Sequence, residues 1–275
     1  MKKKLPTIIL ILVLLAGLSL LLYPTVSDYI NSLHQTRAIS DYVEAVENLD
    51  DDTYEHLWNN AVEYNKKLLH KNNRYKMTAE ERADYESQLN VLGNGIMGYV
   101  DIPEIKCTLP IYHGTDEDVL QIAAGHIDIS SLPVGGESTH CVISGHRGLP
   151  SARLFTDLDK MVEGDLFMLR VLDETLTYEV DQIRIVLPDE LSSLEITQGK
   201  DYCTLVTCTP YGVNTHRLLV RGHRVENQEI SKKAQVTADA MQVEPLLVAT
   251  VIAVLILIIL MIALIIKSKT RKNRK

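Results

Sequence analysis

Residues 204–222 read TLVTCTPYGVNTHRLLVRG. Two apolar stretches rich in β-branched residues flank a turn at Pro210-Tyr211-Gly212, the pattern of neighbouring strands joined by a short loop. Cys208 closes the first stretch and Arg217 opens the second. A nucleophile at a strand end is held rigidly yet faces an open rim. If these strands flank one loop, Cys208 and Arg217 stand together at its mouth. Arg221 shares the face of Arg217 but lies about 13 Å further along, at 3.3 Å per residue.

These residue types belong to one chemical argument. A thiol near neutral pH attacks only as thiolate, so it needs a base or cation beside it. A histidine supplies that help and then protonates a leaving amine. An arginine keeps its proton and serves as a fixed donor to a developing oxyanion. The composition of the stretch therefore points to a cysteine acyl-transfer enzyme. Phosphatase chemistry of the tyrosine-phosphatase type needs an arginine six positions after the cysteine, and position 214 is Asn. That reading fails on spacing.

Nine histidines compete for the role of base. His34, His56 and His70 lie in a polar prelude and are expected to be solvated. His216 adjoins Arg217 and should face the other way. His126, His140 and His146 stand in the barrel region as candidates, and the others default to structural roles. His146 stands where HCVIS gives way to GHRGLP within residues 144–161, SGHRGLPSARLFTDLDKM, a strand end meeting a loop. It is favoured, with His126 and His140 as alternatives.

Working outward, eight β-rich segments appear after Gly95: GIMGYVDI, CTLPIY, HCVIS, DLFMLRV, LTYEV, QIRIV, YCTLVTC and RLLVRGH. They leave little room for crossover helices, which predicts an antiparallel or mixed barrel, with a short helix around residues 154–161 as the main insertion. Residues 24–92 read as helical. Thr78-Ala-Glu-Glu81 is a capping-box pattern that starts a helix, and Gly93 is placed to stop it. HKNNRYKM, residues 70–77, reads as an exposed loop. Residues 227–245 are polar and read as a tether.

The ends are apolar. Residues 5–22 and 246–266 carry no charge. At 1.5 Å per residue they reach roughly 27 and 32 Å, enough for a hydrocarbon core of about 30 Å. Lysines 2–4 precede the first run and KSKTRKNRK follows the second, so the Lys/Arg bias predicts both termini inside and the domain between them outside. The expected layout is a cytoplasmic stub at 1–4, an anchor at 5–23 retained rather than cleaved, helices at 24–92, and a catalytic barrel at 93–226. A linker at 227–245, a second span at 246–266 and a basic cytoplasmic tail at 267–275 complete it.

Outside the nine basic residues of the two tails, 19 basic residues face 36 acidic ones. Such an acidic domain argues against nucleic acid as a partner. No Cys/His spacing suggests zinc, and no cofactor is expected. Cys203 and Cys208 are five apart on one strand and face opposite ways. Cys107 and Cys141 read as small buried hydrophobes, with a bridge between them as the alternative.

The chain resembles the class C sortases, the pilus-assembling transpeptidases of Gram-positive bacteria. TLVTCTPYGVNTHRLLVRG is close to that family's signature around its nucleophile. GIMGYVDIPEI, LPIYHGT, AAGHI, SLPVGG and SGHRGLPSARLFTDL follow its barrel blocks in order, so the likeness covers about residues 93–225. It implies a mainly β fold, an eight-stranded sortase barrel preceded by helices, on two transmembrane helices. It also implies roles: Cys208 as acyl-accepting nucleophile, His146 as general acid/base and Arg217 as the oxyanion-side arginine. The reaction implied cleaves an LPXTG-type sorting signal of a pilin and joins it to a lysine amine of the next pilin. The alternatives are a sortase anchoring surface proteins to cell-wall peptide, a hydrolytic cysteine protease, and a non-catalytic membrane-tethered binding domain. Class C enzymes usually carry an Asp-Pro-aromatic lid before the barrel. Residues 25–95 contain no Asp-Pro, and Tyr75 falls about where the lid aromatic would stand.

Overall fold

The structure is a computed structural model that describes residues 5–71 and 73–227. All but the first residue of the tether at 227–245, the second apolar run at 246–266 and both basic tails lie outside the described residues. The described chain divides into two compact units, with α1 up to Tyr29 in one and residues from Ile30 onward in the other.

Helix α1 (Leu5–Glu47) begins in the first unit. Its described side chains there are exposed or half-exposed, Leu20 at 77 %, and its most apolar window has a mean hydropathy of 2.5. This helix is long and apolar enough to cross a membrane.

In the second unit, α1 is followed by α2 (Asp51–Leu69) and α3 (Ala79–Ser87). Asp50 caps α2 by accepting from the Thr53 amide, and acidic Asp51 and Asp52 sit at its positive end. The capping box of α3 forms as its sequence predicts, with Glu81 reaching back to the Thr78 amide at 2.7 Å. Gly93 does not end that helix. It stops six residues earlier, at Ser87, where Gln88 turns extended at ψ 134° and Leu89 follows with a left-handed φ of 56°.

The barrel comprises β1 (Ile96–Ile102), β2 (Cys107–His113), β3 (Ala124–His126), β4 (Thr139–Ser144), β5 (Leu166–Val171), β6 (Glu174–Val186), β7 (Asp201–Thr209) and β8 (His216–Val225). It closes in the order β1-β2-β3-β4-β7-β8-β6-β5. The β2–β3 and β4–β7 pairs are parallel and the rest antiparallel.

The total of eight strands agrees with the sequence reading, but two identities differ. LTYEV and QIRIV form one strand, β6, with a bulge between Val180 and Gln182. The eighth strand is Ala124-Gly125-His126, too short and too poor in β-branched residues to signal itself. The helix expected around 154–161 is only a 3₁₀ turn, Leu158–Lys160. Leu154 has a φ of 40°, which no right-handed helix can start from.

Alternation along the strands sorts the side chains. Cys203, Leu205 and Val220 belong to the interior cluster with Ile143, Phe167 and Tyr178. Val142, Val186, Val206 and Leu219 form a second cluster on the opposite face, with Ile127 and Leu194 against it. Helices dock on the barrel through buried polar anchors. The Tyr42 hydroxyl donates to Met97 O at 3.0 Å and accepts from the Leu172 amide at 2.7 Å. Asn65 exchanges two bonds with the Leu132 backbone. Each leaves no buried group unpaired, which apolar packing alone could not do.

Gly125 marks the closest approach of backbones. A Cβ there would lie 2.2 Å from Gly114 O and 3.2 Å from Leu120 Cδ2. The Gly114 backbone, just past the end of β2, cannot yield as a flexible side chain would. We expect Gly125→Ala to destabilise the barrel by at least about 2 kcal/mol, the range of overpacked sites. For a unit of this size that lowers the midpoint of thermal unfolding by roughly 4–8 °C, measurable by circular dichroism. An unchanged midpoint would contradict the packing described.

Candidate active site

Strand register assembles the site. In the β7–β8 ladder Cys208 is directly opposite Arg217, so both side chains project from one face. That face is the one bearing Val206 and Leu219, outside the barrel interior. In the parallel β4–β7 ladder Ser144 is level with Val206. The Gly145 amide donates to Val206 O at 3.0 Å and its carbonyl accepts from Thr207 Oγ1 at 2.8 Å. The next residue, His146, therefore leaves β4 alongside the Cys208 end of β7.

Several contacts hold this arrangement. The His146 carbonyl accepts from the Phe155 amide at 3.1 Å, closing the 146–155 loop on itself. The Phe155 ring covers Gly145, where a Cβ would meet it at 2.6 Å. Arg147, 9 % exposed, pairs with Asp159 and approaches Thr209 Oγ1 at 3.5 Å. Its guanidinium lies 5.8 Å from the Tyr211 ring. Arg147 thus ties the loop after His146 to the chain just past Cys208, a role with no signature in the sequence. Arg217 donates from Nη1 to Asn214 O at 3.3 Å and His216 O at 3.1 Å. These bonds keep the turn and the guanidinium at the rim.

Cys208 is half-buried and free, whereas the other three cysteines are buried. The bridge considered between Cys107 and Cys141 is absent. Cys107 Sγ lies 3.5 Å from Leu154 O, and burial pushes its thiol up to about 12. Cys141 is instead level with Cys203 across β4–β7. That neighbour was hidden because parallel pairing joins segments some sixty residues apart.

The competing histidines take structural roles. His126, fully buried, meets the Tyr85 hydroxyl at 2.9 Å and Ser131 O at 2.9 Å. His140 spans Glu195 O at 2.9 Å and Thr204 Oγ1 at 2.7 Å, and burial pushes it down to about 4. Arg221 is engaged by Asp181 in a two-bond fork at 2.9 and 3.0 Å. His34, His56 and His70 are exposed, as expected.

Most described residues of the 70–77 loop are exposed, as expected, with Arg74 the buried exception. Arg74 is 10 % exposed and binds Glu195 at 2.8 Å and Leu194 O at 3.2 Å. The Tyr75 hydroxyl donates to the same Glu195, fastening this loop to the β6–β7 connection. With Val142 and Leu194, Tyr75 borders a void of about 10 Å³. A larger cavity of about 630 Å³ lies at the start of β7, lined by Lys200, Asp201, His223 and Arg224 among others. It is seven residues, about 23 Å of strand, from Cys208 and belongs to a different end of the barrel.

The register of a closed mixed barrel brings Cys208, Arg217 and the start of the His146 loop to one rim, an arrangement suited to cysteine acyl transfer. Residues 100–225 match the family model for the sortase domain. The chain is similar to sortase C1 of Streptococcus agalactiae, with 58 % identity and a TM-score of 0.68 over 70 % of this chain and 100 % of that one. It is also similar to Clostridium perfringens sortase C, solved with the C-terminal cell wall sorting motif. There the identity is 42 % and the TM-score 0.61, over 70 % of this chain and 99 % of that one. Sortase D of Bacillus subtilis is 33 % identical over 131 residues, 46 % of this chain and 63 % of its own length. The chain thus spans less than two thirds of that curated relative. The chain belongs to the sortase family, and its solved neighbours include several sortases C.

Proposed function

We propose that this chain is a membrane-anchored cysteine transpeptidase that cuts an LPXTG-type sorting signal and joins it to a lysine amine of a pilin subunit. The observation that carries the reading is Cys208 opposite Arg217, with His146 leaving the neighbouring strand beside them.

The Cys208 thiolate attacks the Thr–Gly carbonyl carbon. The oxygen gains negative charge where Arg217 can donate to it, an interaction absent from the planar ground state and therefore catalytic. The C–N bond breaks as His146 gives its proton to the leaving glycine amine, leaving a thioester on Cys208. A lysine amine then attacks the thioester, His146 takes its proton, and the thiolate departs. Product is an amide between the threonine carbonyl and the lysine nitrogen. The second apolar run and the Lys/Arg flanks support a two-pass layout with both termini cytoplasmic and the barrel outside.

Incubating the full chain in detergent with an LPXTG-type peptide and a lysine-bearing pilin fragment tests the reading. We expect an amide-linked product. Hydrolysis without any amine adduct would overturn it. Preference for a cell-wall peptide amine over the pilin lysine would favour the anchoring alternative.

A further inference from the structure

His146 has a neighbour that the mechanism above does not use. The short helix α4 (Glu117–Leu120) follows β2 and places Glu117 Oε2 3.8 Å from His146 Nε2. The Glu117 side chain is 72 % exposed, while that of His146 is 26 % exposed. The carboxylate therefore reaches both the imidazole and solvent. Its other oxygen accepts from Gln121 Nε2, one helical turn on, which limits its rotation.

The segment carrying Glu117 is anchored on both sides. The Gly114 amide donates to the Tyr85 hydroxyl at 2.9 Å, and α1 contributes Gln35 Nε2, which donates to Ile122 O at 2.7 Å. One turn earlier on α1, Asn31 Nδ2 donates to Ser151 O at 2.7 Å, in the loop that begins with His146. One helix thus fastens the loops bearing Glu117 and His146.

We infer that Glu117 is a specificity-determining residue for the second half-reaction, attracting the protonated amine of the acceptor to the face of His146. The inference rests on the proposed transpeptidase reading. A lysine side chain arrives as a cation and must lose a proton before it attacks the thioester. A solvent-reaching carboxylate beside the base draws in a cation, disfavours neutral or anionic nucleophiles by comparison, and holds the nitrogen near the group that deprotonates it. The first half-reaction brings in no cationic substrate, so any effect of Glu117 there acts through the His146 imidazolium it faces and is common to every nucleophile.

The test uses the full chain, an LPXTG-type peptide, and two nucleophiles: Nα-acetyl-lysine amide, cationic at neutral pH, and hydroxylamine, which is neutral. For Glu117→Gln we expect the apparent KM for the lysine amine to rise about threefold, the scale of one exposed ion pair. The apparent KM for hydroxylamine should stay unchanged, and any change in the rate of thioester formation should be the same with either nucleophile. High salt should erase the difference, and Glu117→Lys should enlarge it. Equal effects on both nucleophiles, or none on either, would overturn the inference. Reaction of the wild type with hydroxylamine reports the thioester by itself, so its absence would instead refute the transpeptidase reading.

Discussion

Replacing Cys208 by alanine is expected to abolish turnover, with product formation falling at least a thousandfold and no acyl-enzyme detectable. Every covalent step passes through that sulfur, and no other described thiol can substitute. Cys107, Cys141 and Cys203 are buried. Cys203 also points to the opposite side of β7, with the interior cluster. The fold should survive the change, since Cys208 is half-buried at a strand end and surface-type substitutions usually shift stability by less than about 1 kcal/mol. Circular dichroism and peptide cleavage, measured on the same preparation, separate the two effects. Residual turnover within tenfold of wild type would mean that another group is the nucleophile.

Arg217→Ala should lower kcat by roughly 10²–10³-fold, the usual cost of removing one oxyanion donor. The KM for the sorting peptide should change little, because the guanidinium matters most once charge has developed on the carbonyl oxygen. Its bonds to Asn214 O and His216 O cross only the turn, so their loss should not unfold β8. Arg217→Lys should recover part of the rate. Lysine keeps the charge but lacks the planar fork that can hold two carbonyls and still face a third oxygen. A rise in KM at constant kcat would assign Arg217 to peptide binding instead.

The site was legible where it follows strand logic. Cys208 and Arg217 flank one turn, so an antiparallel hairpin was bound to bring them together, and the register does so. His146 was visible as a strand end, although choosing it over His126 and His140 needed the family likeness. The structure supplies a physical reason for setting those two aside: both rings are buried and bonded to backbone carbonyls.

Other features could not be read in advance. Asp181 interrupts the apolar run of β6 and imitates a turn, yet it lies at the bulge and binds Arg221. Ala124-Gly125-His126 gains strand character only from neighbours on both sides, Tyr112 and Ser144 of β2 and β4 being level with Gly125. The contacts of Glu117 with His146 and of Arg74 with Glu195 are tertiary, joining loops whose sequences carry no mutual pattern.

The central claim is a covalent acyl-enzyme on Cys208. Intact-mass spectrometry of the full chain incubated with an LPXTG-type peptide, without added amine, tests it most directly. The account predicts a mass gain equal to the peptide portion ending in threonine, located on the proteolytic fragment that contains Cys208 and released by hydroxylamine. Peptide cleavage with no adduct on that fragment, or an adduct on a different residue, would contradict it.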